Sequence, residues 1–422
     1  MQSAGVDRGQ QQQRIEVEIE VEIEVESRSE RSVTCCSVDP PGSHRSEPGR
    51  DTDWIGGERN ANVTLRVALV GGPMYDHLYR LFDDRDIEIV VHADHPTLNR
   101  EVAARLAAGD RIDVLATHSK YAPSQAQWLR PLDDLVDVGA LAPLAVDLCR
   151  FDSTLLCAPR LIDVRILWLR ADRHPHAPDT WTDVVELGVR FGFPGRESGL
   201  FGTFYELVVG AGGRIFDDDG SPCFESDEAV AAIEQLVRLA DGAPGDLPDW
   251  HYDQVDTALL DGRIDAAGVW PGGWGPIRAS DIADVLEPHP YPAGAQRRVS
   301  YAGCHAWAIP TTCGDVDAAA ELVAALNARS AHALDATGGT VCAHVEAFAA
   351  IEPSSDTDRQ RLEITKQTIA ESMITYPAHP RFPQLEDAGW VSINEALRRR
   401  CTATDAVTRI QRAALSVLTS SG

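Results

Sequence analysis

An α/β chain of two lobes is what this sequence predicts, and three observations predict it. The 422 residues suffice for two domains with separate cores, since domains commonly run to about 100–200 residues each. From Val63 onward strand-like and helix-like signals alternate, the pattern of a parallel sheet joined by crossover helices. Past a hinge-like stretch at 153–172, a second set of such elements begins.

In chain order, VTLRVALV (63–70) is a buried-strand run closed by Gly71, Gly72 and Pro73, and MYDHLYRLF (74–82) follows with helical spacing. DIEIVVHA (86–93) is a second strand. LNREVAARLAAG (98–109) is a helix with Val102 and Leu106 on one face and Gly109 as its stop signal. IDVLAT (112–117) completes a βαβαβ unit, and a loop is expected over 118–150. STLLCAPRLIDVRILWLRAD then carries two extended apolar runs around Pro159.

Thr180, with Asp183 three residues on, marks a capped helix start. The glycine-rich turn at 210–224 leads into the helix DEAVAAIEQLVRLA (227–240), whose acidic first turn suits the helix dipole. A short helix around 255–262 precedes the strand RIDAAGVW (263–270), which ends in the loop PGGWGP. VSYAGCHAWAIP (299–310) reads as a strand returning to the first lobe, and helices from 315 onward close the chain. The expected division is 63–168 with 304–350 in lobe 1, and 169–303 with part of 351–422 in lobe 2, the C-terminal helices packing across both.

Residues 1–62 differ in kind. A glutamine run, Ile-Glu-Val-Glu repeats and a Ser/Arg/Pro/Gly-rich stretch read as a disordered tail or a misplaced start. A net charge of −27 excludes the basic surface that nucleic acid requires. The nine cysteines form no C-x-x-C pair and read as free and mostly buried. No stretch approaches the roughly 18 apolar residues of a membrane span, and the first sixty residues show no apolar core of a secretory signal.

Five segments in order resemble the extracellular solute-binding proteins of ABC transporters, the sugar-binding class with the maltose-binding-like type II periplasmic fold. They are DVLATHSKYAPSQAQWLRPLDDL, LLCAPRLIDVRILWLRAD, PDTWTDVVELG, ALLDGRIDAAGVWPGGW and YAGCHAWAIP. The resemblance spans about Val63 to Leu418 and implies a ligand cleft between lobes, a small polar ligand such as a sugar, permease subunits as partners, an extracytoplasmic location and no catalysis. A monomer without cofactor is expected. Against the extracytoplasmic placing, the absent signal keeps a cytoplasmic ligand sensor or an enzyme on the same fold as the alternative.

Ligands of open α/β sheets bind beyond the carboxyl ends of strands, and a sugar needs hydroxyl partners together with flat aromatic faces. Trp270 and Trp274 flank the loop after 263–270 and are the leading candidates, with core packing as their alternative. His118 and Ser119 follow a strand directly. Asp163 and Arg165 interrupt an apolar run and so need a partner or a ligand. Phe201, Thr203 and Tyr205 in GLFGTFYEL, Tyr301 and His305 in the returning strand, and Tyr75 after the first turn complete the set.

Other chemistries lack their motifs. Gly71-Gly72-Pro73 is not G-x-G-x-x-G, and there is no Walker sequence, no G-x-S-x-G and no H-E-x-x-H. His92, Asp94 and His95, and the pair His174 and His176, read as surface loop residues without further metal ligands nearby.

Overall fold

The computed structural model describes residues 64–72 and 74–419, all within the compact unit Asn60–Gly422. The expected tail over 1–62, with Cys35 and Cys36, lies outside the described residues, as does Pro73. Strands β1 (Leu65–Val70), β2 (Ile87–Ala93) and β3 (Val114–His118) run parallel, β1 lying between the other two. In β1 every residue but Arg66 is buried, as expected of a strand covered on both faces. A small hairpin of β4 (Arg150–Phe151) and β5 (Thr154–Leu155) precedes β6 (Ala158–Val164).

Arg165 alone separates β6 from β7 (Ile166–Arg170), the first strand of a second sheet. That sheet adds β8 (Phe191–Gly192), β9 (Ala266–Val269) and β10 (Leu286–His289) in the order β10-β7-β9-β8. The chain returns through β11 (Ser300–Ala308), which lies antiparallel between β3 and β6. Two short strands, β12 (Val341–Cys342) and β13 (Met373–Thr375), complete the first sheet. Helix Asp356–Glu371 packs on strands of both sheets. Each sheet has its own apolar core.

Local sequence explains the elements that shape the site. Helix His95–Ala107 is capped by Asp94, whose carboxylate accepts from the Thr97 backbone N–H, and its Leu98, Val102 and Leu106 face the core. Thr180 and Asp183 form the reciprocal cap that their spacing predicts. Helix Glu197–Gly210 is buried from Ser198 to Gly210, enclosed by the helices Asp227–Gly242 and Phe382–Leu397. No polar face is left on it. Segment 118–150, expected as loop, contains the short helices Ala122–Gln125 and Pro143–Leu148. Among the described residues no helix is long and apolar enough to cross a membrane.

Candidate functional site

A cavity of ≈ 230 Å³ lies between the two sheets. From the first lobe its wall takes the turn after β1 with Tyr75, the N-terminus of helix His95–Ala107, the segment after β3, and Asp163 and His305 of β6 and β11. The second lobe contributes Ser198, the start of helix Tyr252–Leu260, and the loop from Trp270 to Gly272 after β9. At Gly272 the lobes nearly touch. An added Cβ there would lie 2.5 Å from the end of the Met74 side chain, so a larger residue would force Met74 to move.

The floor of the cavity is a polar network fixed by strand register. His305 of β11 sits opposite His118 of β3, and both rings converge on Asp163. His305 Nε2 lies 3.1 Å and His118 Nε2 3.4 Å from the same carboxylate oxygen, while the other oxygen accepts from the Gly303 backbone N–H at 2.8 Å. Gly303 makes room for this, since a Cβ would fall 2.0 Å from the His118 ring.

Partners assign the protons. The Lys120 backbone N–H donates to His118 Nδ1 at 3.1 Å, so His118 carries its proton on Nε2 and donates to Asp163. His305 donates likewise from Nε2, and its Nδ1 then accepts from His95 Nε2 at 3.0 Å. Burial acts to raise the Asp163 carboxyl, but His118 and His305 outweigh it and hold the group well below the usual carboxylate range. Burial, with His305 and His118 adding to it, keeps the His95 imidazole neutral far below its ordinary value.

His118, Asp163 and His305 place one ligand atom each within 4.8 Å of one another, close enough for a metal ion. Such an ion would have to take the place of the His118 Nε2 proton, and the Lys120 N–H already occupies the opposite nitrogen. Hydrogen bonding accounts for all three groups.

The neutral state of His95 has a consequence for stability. Unfolded histidine takes up a proton near pH 6.5, whereas folded His95 resists it, so its contribution is present above pH 6.5 and lost as pH falls. His95→Gln should therefore gain on the wild type by about 1–2 kcal/mol between pH 7.5 and pH 5. Thermal melts of both proteins across that range check this; a constant difference would refute it.

Buried ion pairs surround the network. Lys120 Nζ reaches Glu386 on helix Phe382–Leu397 at 3.0 Å, which joins the two lobes across the cavity wall. Arg165 pairs with Glu206, and Glu206 also accepts from the Tyr301 backbone N–H at 2.8 Å. Above them stand the aromatics. Tyr252 and Tyr301 share a hydrogen bond of 2.9 Å between hydroxyls, and Trp270 meets Tyr301 edge to face at 5.2 Å.

Of the residues expected at a ligand site, the cavity brings together Tyr75, His118, Asp163, Trp270, Tyr301 and His305. The others lie elsewhere. Trp274 is buried in the second core, stacked on Trp168 at 5.7 Å, with the Arg361 guanidinium over its ring. Ser119 ties β3 to β11 by accepting from the Cys304 N–H. Arg165 is spent on Glu206 beneath the wall, and Thr203 donates to the Gly199 carbonyl. Phe201 packs among Phe204, Phe224 and Phe382, and the Tyr205 hydroxyl donates to the Thr375 carbonyl. The buried helix they share leaves these three no path to the cavity.

Sequence reasoning missed Lys120, Tyr121, Tyr252, Asp256, Tyr376 and His95, all of which line the cavity. His95, read as a surface loop residue, is carried inward by the helix it starts. The seven cysteines among the described residues are free, and five of them are buried. Cys304 belongs to the core of the first sheet while its neighbour His305 faces the cavity, because successive strand residues point to opposite faces. The two cannot act on one substrate.

Fold and cavity define a two-lobed α/β binding protein. The sequence profile of the bacterial extracellular solute-binding protein family matches residues 78–332, and the chain belongs to that family. It is similar to the probable amino-acid ABC transporter periplasmic-binding protein y4oP of Sinorhizobium fredii, with 29% identity over 164 residues. That match spans 34% of this chain and 38% of the relative's length.

Solved structures extend the likeness in fold to most of the chain. The maltose-bound MalE3 of T. maritima superposes with a TM-score of 0.76 at 21% identity, over 84% of this chain and 100% of the other. A solute-binding protein of Agrobacterium radiobacter K84 in complex with ribitol gives 0.73 at 16% identity, over 84% and 98%.

Proposed function

We propose that this protein is the capture component of an ABC importer, which closes its two lobes reversibly on a small polar solute of sugar or polyol size outside the cytoplasmic membrane. The observation that carries this reading is the interlobe cavity, with aromatic rings above and a hydrogen-bonded polar floor below. Its volume of ≈ 230 Å³ lies under the roughly 300–1,000 Å³ of common drug-sized sites, which suits a single small solute. The maltose and ribitol held by proteins of like fold, and the transporter role in the name of the S. fredii relative, support it. We take the working unit to be a monomer, whose closed face would meet the permease subunits.

Closure follows from contacts that a solute makes to both lobes at once, which lower the closed state relative to the open one. A thermal-shift screen of the full chain against sugars, polyols and amino acids tests the reading, with mass spectrometry of each mixture afterwards. A true ligand at a hundred times its Kd raises stability by about 2.7 kcal/mol and is recovered intact. Recovery of a chemically altered compound would instead establish an enzyme.

Trp270 is partly buried and stands on the cavity wall. Aromatic anchors of this kind are worth about 2 kcal/mol or more to binding. Trp270→Ala should thus weaken the ligand found in the screen by about 30-fold in protein that still folds, although loss of its contacts with Tyr252, Tyr301 and Arg165 will lower the melting temperature. Calorimetric titration of both proteins decides it, and an unchanged Kd would take Trp270 out of the site.

A further inference from the structure

The charges on the cavity wall do not balance. Each buried cation near it has a carboxylate of its own: Lys120 has Glu386, Arg165 has Glu206, and Arg160 has Asp335. The three imidazoles of the floor spend their ring nitrogens on Asp163, on the Lys120 backbone and on one another. On the opposite side, helix Tyr252–Leu260 turns Asp253 and Asp256 toward the cavity.

Neither carboxylate makes a hydrogen bond or ion pair among the described residues, and the His251 imidazole, within electrostatic reach of Asp253, is held below its ordinary value chiefly by burial. Burial, with Asp253 adding to it, pushes the Asp256 carboxyl up to about 7. Asp256 is half-buried and Asp253 exposed, and a carboxylate partly withdrawn from water without a partner costs free energy that a cation would recover. Two further features belong to the same wall. The Tyr252 ring carries no cation of its own among the described residues and favours a positive charge beside it, whereas Trp270 and Tyr301 already have the Arg165 guanidinium over one face. Tyr376, buried and lining the cavity, keeps a hydroxyl with no hydrogen-bond partner among the described residues.

We infer that the captured solute carries a cationic nitrogen, an ammonium or guanidinium on a small polar frame, seated against Asp256 and Asp253 and flanked by the aromatic wall. This rests on the solute-binding reading above and narrows its ligand class. The polar floor at Asp163 would hold the uncharged end.

Matched pairs of probes test the charge separately from the capture. Glucosamine is compared with glucose, glucamine with sorbitol, and putrescine with 1,4-butanediol, by calorimetric titration into the full-length protein at pH 8. The expected result is that a cationic member binds at least about tenfold more tightly than its neutral partner, and that Asp256→Asn removes most of that ratio. Asp253→Asn, at an exposed position, should reduce it by less and serves if the first variant folds poorly.

A neutral partner that binds as well as its amine would overturn the charge assignment and leave the solute-binding reading standing. The assignment also falls if no amine binds while the wider screen finds a neutral ligand, or if Asp256→Asn leaves the ratio intact. Failure of every compound in both sets would count against capture itself.

Discussion

Replacing Arg165 with Met is expected to cost about 3–5 kcal/mol of stability. The guanidinium is 1% exposed and its partner Glu206 is fully buried. Removing the cation leaves a carboxyl in the core with only the Tyr301 N–H and neighbouring hydroxyls to satisfy it. Even beside Arg165, burial pushes Glu206 up to about 7, so without that arginine it will hold its proton at neutral pH.

The sign of the pH dependence follows. A carboxyl whose folded pKa is raised binds a proton that the unfolded chain has released, so its contribution is lost as pH rises. The deficit of Arg165→Met should therefore be smallest near pH 5 and grow toward pH 8. Arg165→Met with Glu206→Leu should recover most of it, because an apolar pair of similar volume needs no counter-charge. Denaturant melts of the wild type and both variants check all three points. A single variant within 1 kcal/mol of the wild type would show that the pair contributes nothing.

Trp274→Ala is expected to lose about 3–5 kcal/mol, as large-to-small changes of buried aromatics do. Trp274 is 5% exposed, stacks on Trp168 with 17° between the rings, and lies under the Arg361 guanidinium. Truncation leaves that cation over a void. Any ligand affinity should remain near that of the wild type in protein that is still folded. A variant that melts like the wild type yet binds poorly would return Trp274 to the ligand site.

The two tryptophans show what could be learned from residue order and what could not. The strand end at β9 and the Pro-Gly-Gly turn were legible, and both put an indole near the cleft. Which indole faces inward depends on the helical turn that starts at Trp274 and rotates it toward the second sheet. Spacing in the loop carries no such information.

His95 is a different case, because the signal was present. Asp94 followed by Pro96 is a capped helix start with proline in the first turn, and it begins the helix three residues earlier than the apolar pattern alone suggests. The strands of the first sheet were legible from their apolar runs, and the reciprocal cap at Thr180 from its spacing. Phe201, Thr203 and Tyr205 were misplaced because a helix enclosed on every side offers no periodicity to show which face meets a ligand. The pairing of Lys120 with Glu386 joins residues 266 positions apart, and nothing local connects them.

That last ion pair makes the protein a reporter of its own opening. Lys120 and Lys366 are the only lysines in the sequence, and Lys366 is exposed whereas Lys120 is largely covered. Burial works against the Lys120 ammonium, but the Glu386 carboxylate outweighs it and keeps the nitrogen protonated while the lobes are shut. A protonated amine has no lone pair with which to attack an acylating reagent. Acetylation followed by peptide mass mapping would thus read Lys366 as an internal standard and Lys120 as a gauge of how often the cleft parts.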